Sequence, residues 1–255
     1  MSSSIPDVPA GHAQFGEDRL LLEIFHDLPD GVCLEVGAFD GCAGSATLAF
    51  ERKGWTAILV EPLPELAARI RQHRKGLVFE AAAGPANGEV TFRRALGDPA
   101  ISTLANSTWQ SELYRLRQET WQELTVRQLT LDSIIEQAGV ARLDFATIDT
   151  EGYELEVLRG WTLSRWQPRV IVVEDNSRGL DRQVPAHLAA AGYGCFHHTG
   201  VNDWYARSTD SALATVPNRL RQWQRRRLRR LRAFAKRLAP PALKRALRRW
   251  SVAGE

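Results

Sequence analysis

Near its N-terminus the chain carries the stretch Val32-Cys-Leu-Glu-Val-Gly-Ala-Phe-Asp-Gly41. The first half is an apolar run of strand length, and the second half is a turn that contains two glycines. A similar run, Thr56-Ala-Ile-Leu-Val60, follows after a helical pattern over about residues 45–53. Strands that alternate with helical segments in this way are typical of βαβ units and a parallel sheet.

The alternation of strands and helices continues towards residue 207. The predicted strands are, in chain order, residues 32–36, 56–60, 77–79, 88–95, 126–129, 143–148, 169–173, 193–197 and 203–206. The predicted helices are residues 45–53, 64–74, 131–138, a segment that ends at Leu158, and residues 184–191, whereas residues 96–112 resemble a loop. We therefore predict an α/β protein with a central, mostly parallel sheet and helices on both faces.

Composition excludes several classes of protein. The chain has 255 residues, of which 44% are apolar and 25% are charged, as in ordinary globular domains. Its cysteines, Cys33, Cys42 and Cys195, are too few for a disulfide scaffold or a zinc module, so we expect a reducing cytoplasm. Residues 1–12 lack the pattern of a secretory signal, and no apolar run approaches the ~20 residues of a spanning helix.

Charge is divided unevenly along the chain. Residues 211–255 contain 14 of the 33 Lys and Arg residues and one of the 30 Asp and Glu residues, a net charge of +13. Residues 1–210 hold the other 19 bases and 29 acids, a net charge of −10. We predict one acidic domain over residues 1–210 and a basic extension over residues 211–255.

Acidic residues follow three of the predicted strands: Glu61, Asp149 and Glu174. In open α/β sheets, ligands bind at the carboxyl ends of the strands. The dinucleotide fingerprint requires a second glycine where this chain has Phe39, which disfavours NAD and FAD. A carboxylate at Glu61 is placed to accept both hydroxyls of a ribose, so the pattern favours an adenosyl ligand without a pyrophosphate.

Several motifs together resemble the FkbM-type S-adenosylmethionine-dependent methyltransferases. They are Gln14–Asp18, Glu35–Gly41 with Ser45–Thr47, Gly54-Trp55 leading to Val60–Pro62, Thr130–Ser133, Leu143–Leu158 and Val172–Glu174. The resemblance runs from about residue 12 to residue 207, and Ile148-Asp-Thr-Glu-Gly-Tyr-Glu154 is its most specific part. It implies a class I Rossmann-like methyltransferase fold and methyl transfer, usually to a hydroxyl of a sugar or a polyketide.

The resemblance also implies roles for individual residues. Those expected at the methionine end of the cofactor are Glu35, Gly37, Ala38, Asp40 and Gly41. Glu61 would hold the ribose, and the segment around Ala82 would pass near the adenine. One departure is Thr147, where the family commonly has lysine.

The candidates for the base, or for orienting the acceptor, are Asp149, Glu151 and Glu154. Alternatively, Asp149 caps the following helix, and Glu154 and Glu156 are solvated helix residues. Histidines 12, 197 and 198 are further candidate bases. Grouped carboxylates can hold Mg²⁺, but no His or Asp spacing requires it, so we predict S-adenosylmethionine as cofactor and no metal site.

Residues 219–250 have the pattern of a basic amphipathic helix. Between Arg219 and Ala239 the apolar positions fall within an arc of about 140°, and most of the remaining face is arginine. Pro240-Pro241 interrupts this pattern, which then resumes as far as Trp250. An anionic membrane surface explains both faces. Packing on the acidic body or on a sister subunit, and binding to nucleic acid, are the alternatives.

We therefore expect a cytoplasmic O-methyltransferase that acts on a sugar or glycan hydroxyl at the inner face of a membrane. The acceptor would be a small molecule, a lipid-linked sugar or a precursor of a cell-surface polysaccharide. A nucleic-acid methyltransferase and a non-catalytic nucleoside-binding or scaffold protein are the alternatives. As a partner of the chain we also consider a second copy of itself, in a homo-oligomer.

Overall fold

A seven-stranded sheet runs through the protein. The computed structural model describes residues 13–105, 120–177 and 179–215, together with residues 218, 222, 224, 225 and 228. The strands are β1 (Val32–Val36), β2 (Thr56–Val60), β3 (Leu77–Phe79), β4 (Ala82–Ala83), β5 (Gly88–Ala95), β6 (Thr103–Leu104), β7 (Trp121–Leu129), β8 (Phe145–Ile148), β9 (Val170–Glu174), β10 (Tyr193–Thr199) and β11 (Asn202–Arg207). The helices are α1 (Glu17–Ile24), α2 (Leu48–Arg52), α3 (Pro64–His73), α4 (Leu131–Gln137), α5 (Glu154–Arg159), α6 (Leu163–Trp166) and α7 (Gln183–Ala190), and Pro99–Ile101 form a 3₁₀ turn.

The strand order in the large sheet is β10-β11-β9-β8-β1-β2-β3. Neighbouring strands from β3 to β9 are parallel, and β11 runs antiparallel to both β9 and β10. The chain therefore proceeds from β1 in one direction to β2 and β3, and later in the other direction from β8 to β9. The reversal lies between β1 and β8, where α/β sheets bind their ligands.

The apolar strand residues form these strands because both faces of the sheet are covered. On one face Leu34 and Val36 pack in a core with residues of α4 to α7. On the other face Cys33 packs with residues of α1 and α2. An aromatic cluster fills this second core, with ring centroids 4.7–6.4 Å apart; it consists of Phe25, Phe50, Trp55 and Phe145. The prediction of an α/β protein with helices on both faces is confirmed.

A second, four-stranded sheet was not predicted. It has the order β4-β7-β5-β6, and its main pair is an antiparallel ladder between β5 and β7. The expected loop over residues 96–112 instead contains the 3₁₀ turn and β6, and residues 106–119 lie outside the described part. Strand β7 begins at Trp121, five residues before the predicted start, because its first half is largely exposed and polar and gives a weak signal.

The basic extension is described only in part. Leu213 and Ala214 pack against the body, but the predicted amphipathic helix at 219–250 lies outside the described residues except for four isolated positions. Within the described part of the chain, none of the helices has the length and apolar character that crossing a bilayer requires.

Candidate active site

A cleft of about 700 Å³ opens at the carboxyl ends of β1, β2, β8 and β9. This is the size of a typical small-molecule site. Its floor is formed by the turn after β1 and the loop after β8, and Asp98–Ser102 and Leu104 line one wall. The opposite side includes Gln14, Phe15 and Asn202. The second sheet and the N-terminal segment therefore complete a site that the parallel sheet begins.

The turn after β1 brings two strand ends together. Gly37 has a φ of +82°, and a Cβ atom there would lie 1.9 Å from the carbonyl oxygen of Asp149. The glycine is thus required by the close approach of the loop after β8. Phe39, where a dinucleotide site has its second glycine, also has a positive φ of 51°. Only a minority of non-glycine residues adopt this conformation, which frequently marks a functional turn.

Glu61 fixes this turn from the end of β2. Its Oε2 accepts a hydrogen bond from the Phe39 amide (3.0 Å), and its Oε1 accepts one from the Leu63 amide (2.9 Å). The side chain is buried in the cleft wall, and burial raises the pKa of this carboxyl to about 8 despite the two amides. At neutral pH the free site therefore holds Glu61 mainly in its protonated form.

The Glu35 carboxylate accepts hydrogen bonds from the loop before α2. It accepts hydrogen bonds from the hydroxyls of Ser45 (2.8 Å) and Thr47 (2.5 Å) and from the Ala46 amide (2.9 Å). The guanidinium of Arg74 lies 3.9 Å from the same carboxylate. Glu35 lines the cleft, but its carboxylate chiefly holds this loop in place.

Two of the predicted cofactor residues do not line the cleft. Asp40 accepts hydrogen bonds from the amides of Cys42 and Ala43 and so closes a local turn. The Gly41 carbonyl accepts a hydrogen bond from Arg74, whose side chain also packs close to this glycine. Asp40 and Gly41 therefore stabilise the turn without contacting the cleft, whereas Gly37, Ala38, Glu61 and Ala82 line the cleft.

Three carboxylates meet on the cleft floor. One oxygen from each of Asp149, Glu151 and Glu174 lies within 4.8 Å of the other two. Asp149 and Glu174 are close enough that a proton on one carboxyl group can be shared with the other. Burial and the neighbouring carboxylates raise the pKa of Glu174 to about 11, and burial also raises the pKa of Asp149. Carboxylates this close can share a proton or hold a divalent cation.

Hydrogen bonds from two parts of the chain hold the loop that carries Asp149 and Glu151. Glu154 Oε1 accepts hydrogen bonds from the amide and hydroxyl of Thr150 and from the Gly152 amide. From the second sheet, the Thr103 hydroxyl donates to the carbonyls of Thr150 (3.3 Å) and Glu151 (3.1 Å). Glu151 has a φ of +55°, which costs an unsupported residue about 1–3 kcal/mol. The clamps thus hold a strained turn.

The structure overturns two of the alternatives for these acids. Asp149 does not cap a helix, because α5 begins at Glu154 and Tyr153 occupies the N-cap position. Glu154 is buried rather than solvated, and Glu156 instead forms an ion pair with Arg159. No histidine lies among the described residues that line the cleft. His198 instead pairs with Asp203, and His12 falls outside the described part.

The predicted site residues Asp149, Glu151 and Glu61 do meet in one cleft, as strand ends in a parallel sheet should. Glu174 was noticed as a strand-end acid but not as a site residue. Its position in the strand next to β8 was the available signal, because β9 pairs with β8 up to Val173. Thr103 gave no signal in the sequence, since its partners are about 47 residues away.

The strand order, the tight turn after β1 and the acid after β2 define a Rossmann-like enzyme of the nucleoside-binding class. The sequence model of the methyltransferase FkbM domain matches residues 35–205. The chain belongs to this family and is an S-adenosylmethionine-dependent methyltransferase.

The chain also matches individual proteins that are named as methyltransferases. The 2-O-methyltransferase NoeI of Sinorhizobium fredii is 28% identical over 168 residues, which cover 62% of this chain and 68% of that protein. A TehB-like methyltransferase from Corynebacterium glutamicum has a TM-score of 0.40 and 12% identity, over 78% of this chain and 90% of that one. A methyltransferase from Aquifex aeolicus has a TM-score of 0.38 and 13% identity, over 78% of this chain and 93% of that one.

The cleft fits S-adenosylmethionine by its own chemistry. Among the described residues that line it none is Lys, Arg or His, so no cationic side chain there opposes a sulfonium. Seven are acidic, of which Glu61 and Glu174 hold a proton near neutral pH; the acids are Glu17, Glu35, Glu61, Asp98, Asp149, Glu151 and Glu174. Two buried oxygens that line it, Thr147 Oγ1 and Glu174 Oε2, have no hydrogen-bond partner in the described part of the chain. A bound ligand would satisfy such atoms.

Proposed function

We propose that this enzyme transfers a methyl group to a hydroxyl of a sugar or glycan. The observation that carries the proposal is the cluster of Asp149, Glu151 and Glu174, whose carboxylate oxygens lie within 4.8 Å of one another in the cleft. A hydroxyl must lose its proton when it is methylated, so the site needs a base close to the acceptor. The similarity to NoeI, which is named as a 2-O-methyltransferase, supports the same reaction type.

The cofactor-binding residues act by position. Bound S-adenosylmethionine supplies an electrophilic methyl group on a sulfonium that leaves as a neutral thioether. The ionised carboxylate of Glu61 would accept hydrogen bonds from the ribose hydroxyls, and the turn from Gly37 to Phe39 would contact the nucleoside through its backbone. The small side chains from Ala81 to Ala83 leave room beside them for the adenine.

Asp149 and Glu174 have different roles towards the acceptor hydroxyl. We assign the shared proton to Glu174, which is the less exposed of the two, and the ionised carboxylate to Asp149, which is open to the cleft. The Asp149 carboxylate would take the proton of the acceptor hydroxyl. A protonated Glu174 would donate a hydrogen bond to that carboxylate and orient it, and Glu151, which lies beside both, would orient the acceptor.

The test of this proposal is methyl transfer to defined classes of acceptor. Purified enzyme is incubated with S-adenosylmethionine that carries a labelled methyl group, together with a panel of neutral oligosaccharides, RNA or DNA. We expect label in the oligosaccharide fraction, as a methyl ether that survives mild base. Label found only in RNA or DNA would overturn the proposal in favour of a nucleic-acid methyltransferase, for which the arginines of residues 219–250 would supply phosphate contacts.

A chelator distinguishes a shared proton from a metal ion at the carboxylate cluster. In the proposed mechanism the proton between Asp149 and Glu174 takes the place that a cation would otherwise occupy. Activity should therefore be unchanged after treatment with EDTA and after Mg²⁺ is added back. Loss with EDTA and recovery with Mg²⁺ would contradict this assignment of the base.

A further inference from the structure

One large aromatic side chain at the mouth of the cleft is exposed. Phe15 has 40% of its surface accessible, although most large apolar residues of the domain are buried. It lines the cleft together with Gln14, Asn176 and Asn202. An exposed ring beside a ligand cleft is a binding feature, since apolar surface there is covered only when a ligand arrives.

The hairpin between β10 and β11 supports the ring. Gly200, in the turn of that hairpin, lies so close that a Cβ atom on it would be 2.3 Å from the Phe15 ring. The ring can occupy its position only because residue 200 has no side chain. Gly200 also has a φ of +49°, so the turn itself favours glycine.

Buried polar contacts fix the segment that carries the ring. Glu17 accepts hydrogen bonds from the Phe15 amide (2.9 Å), the Thr199 hydroxyl (2.6 Å) and the Asn202 side-chain amide (3.0 Å). On the other side, Ala13 forms a bridge with Gly44 in the loop before α2. The ring is therefore a fixed platform rather than the tip of a free loop, and ligand binding need not order it.

The polar groups near the platform match a polyhydroxylated molecule. The amides of Gln14 and Asn176 can both donate and accept hydrogen bonds, and the carboxylates of Glu151 and Glu174 accept them. Because no basic side chain lies among the described lining residues, a phosphate or carboxylate on the acceptor would be repelled rather than paired. The apolar C–H face of a sugar ring packs well against an aromatic ring.

We propose that Phe15, which packs against Gly200, forms the acceptor subsite and binds an uncharged sugar ring whose hydroxyl points to Asp149. The assignment rests on the proposed function, because it names the part of the cleft that the sugar occupies. Phe15 and its neighbours set which acceptor binds, while Asp149 and Glu61 serve the chemistry and the cofactor.

The test uses label transfer to neutral methyl glycosides and to the same sugars carrying a phosphate or a carboxylate. Phe15→Ala should raise the KM for the neutral glycoside about tenfold or more, and Phe15→Tyr should keep it near that of the wild type. Gly200→Ala keeps the Phe15 ring but displaces it, so this variant should also raise the KM for the neutral glycoside. Leu77→Ala, which removes a side chain of equal exposure (41%) away from the cleft, is the matched control.

Calorimetric titration with S-adenosylhomocysteine shows whether each variant is folded and which half of the cleft it affects. The Kd should stay within about twofold of the wild-type value in all variants. The subsite is disproved if the wild type methylates neutral glycosides and Phe15→Ala does so with an unchanged KM. It is also disproved if charged sugars are the better acceptors, or if Phe15→Ala weakens the binding of S-adenosylhomocysteine rather than that of the glycoside. Failure of the wild type to methylate any sugar would overturn the proposed function, and the subsite with it.

Discussion

At the scale of single residues, the site depends on acids whose environments differ. Glu61 is buried against backbone amides, Glu35 accepts hydrogen bonds from the hydroxyls of a neighbouring loop, and Asp149 lies beside Glu151 and Glu174. In the proposed function, the same side-chain chemistry serves ligand recognition, loop anchoring and proton transfer. Burial and hydrogen bonding assign these tasks, since they set which carboxylates are ionised near neutral pH.

The raised pKa of Glu61 predicts that nucleoside binding depends on pH. Only the ionised carboxylate can accept both ribose hydroxyls, and the free protein holds a proton there up to a pKa of about 8. Affinity should therefore increase by up to about tenfold per pH unit as the pH rises towards 8, and level off above it. Adenosine is a suitable probe in calorimetry, because it has no group that titrates in this range.

Glu61→Gln is the matched variant for this measurement. It keeps the size of the side chain but cannot ionise, so it should bind adenosine weakly and with little dependence on pH. An equally steep pH dependence in Glu61→Gln would show that another group is responsible.

At the scale of elements, the second sheet contributes directly to the active site. Strand β6 places Thr103 against the loop after β8, and the Thr103 hydroxyl donates to two of its carbonyls. That loop includes Glu151 with its positive φ, so the contact restrains a backbone that would otherwise relax. The insertion between β3 and β8 therefore acts as a support for the acids and as a wall of the cleft.

Thr103→Val tests this support. Valine has the same shape but no hydroxyl, so the two carbonyls lose their donor and the loop loses one of its clamps. We expect kcat to fall about tenfold, with the Kd for S-adenosylhomocysteine nearly unchanged and with activity largely recovered in Thr103→Ser. Thr91→Val, at an exposed position on β5, is the control. Wild-type kcat in a folded Thr103→Val enzyme would contradict the role.

The elements differ in how well the sequence predicts them. Strands β1, β2 and β3 match their predicted bounds, and β8 and β9 are within two residues. The apolar character of β1, β2, β8 and β9 follows from burial on both faces, whereas β3 is a half-exposed edge strand with a short apolar run. Strands β4 and β6 contain two residues each and carry no pattern. Helix α1 was not predicted, since adjacent leucines hide its periodicity. The platform at Phe15 could not be predicted, because its partner Gly200 is brought close only by the fold.

At the scale of the whole molecule, separate parts of the chain enclose one acidic cleft. The parallel sheet supplies its floor, the second sheet one wall, and the N-terminal segment with the β10–β11 hairpin another. The excess of acids in residues 1–210 is thus concentrated partly at the site, whereas the excess of arginine lies in the extension. We propose that the extension binds an anionic membrane surface and so brings the enzyme to a lipid-linked acceptor.

Sedimentation with vesicles tests the role of the extension in the full-length protein. The protein should sediment with vesicles of phosphatidylglycerol and phosphatidylcholine, but not with phosphatidylcholine alone. Replacement of Arg229, Arg230, Arg232 and Arg237 by glutamine should abolish this binding.

The control replaces the same number of exposed bases on the body, a set composed of Lys53, Lys75, Arg127 and Arg182. It should leave sedimentation unchanged. Equal loss in both variants, or sedimentation that is insensitive to the four tail arginines, would contradict a membrane role. Tight and strongly salt-dependent retention of RNA without binding to vesicles would indicate nucleic acid instead.

If Asp149 accepts the proton of the acceptor hydroxyl, the single-turnover rate of methyl transfer must depend on its carboxylate, and Asp149→Asn removes that carboxylate. Asparagine keeps the shape and cannot take the proton, so the rate should fall by about 10² to 10⁴. The Kd for S-adenosylhomocysteine should remain close to that of wild type, because Glu61 and the turn after β1 hold the nucleoside. Methyl transfer by Asp149→Asn at the wild-type rate would show that Asp149 is not the base.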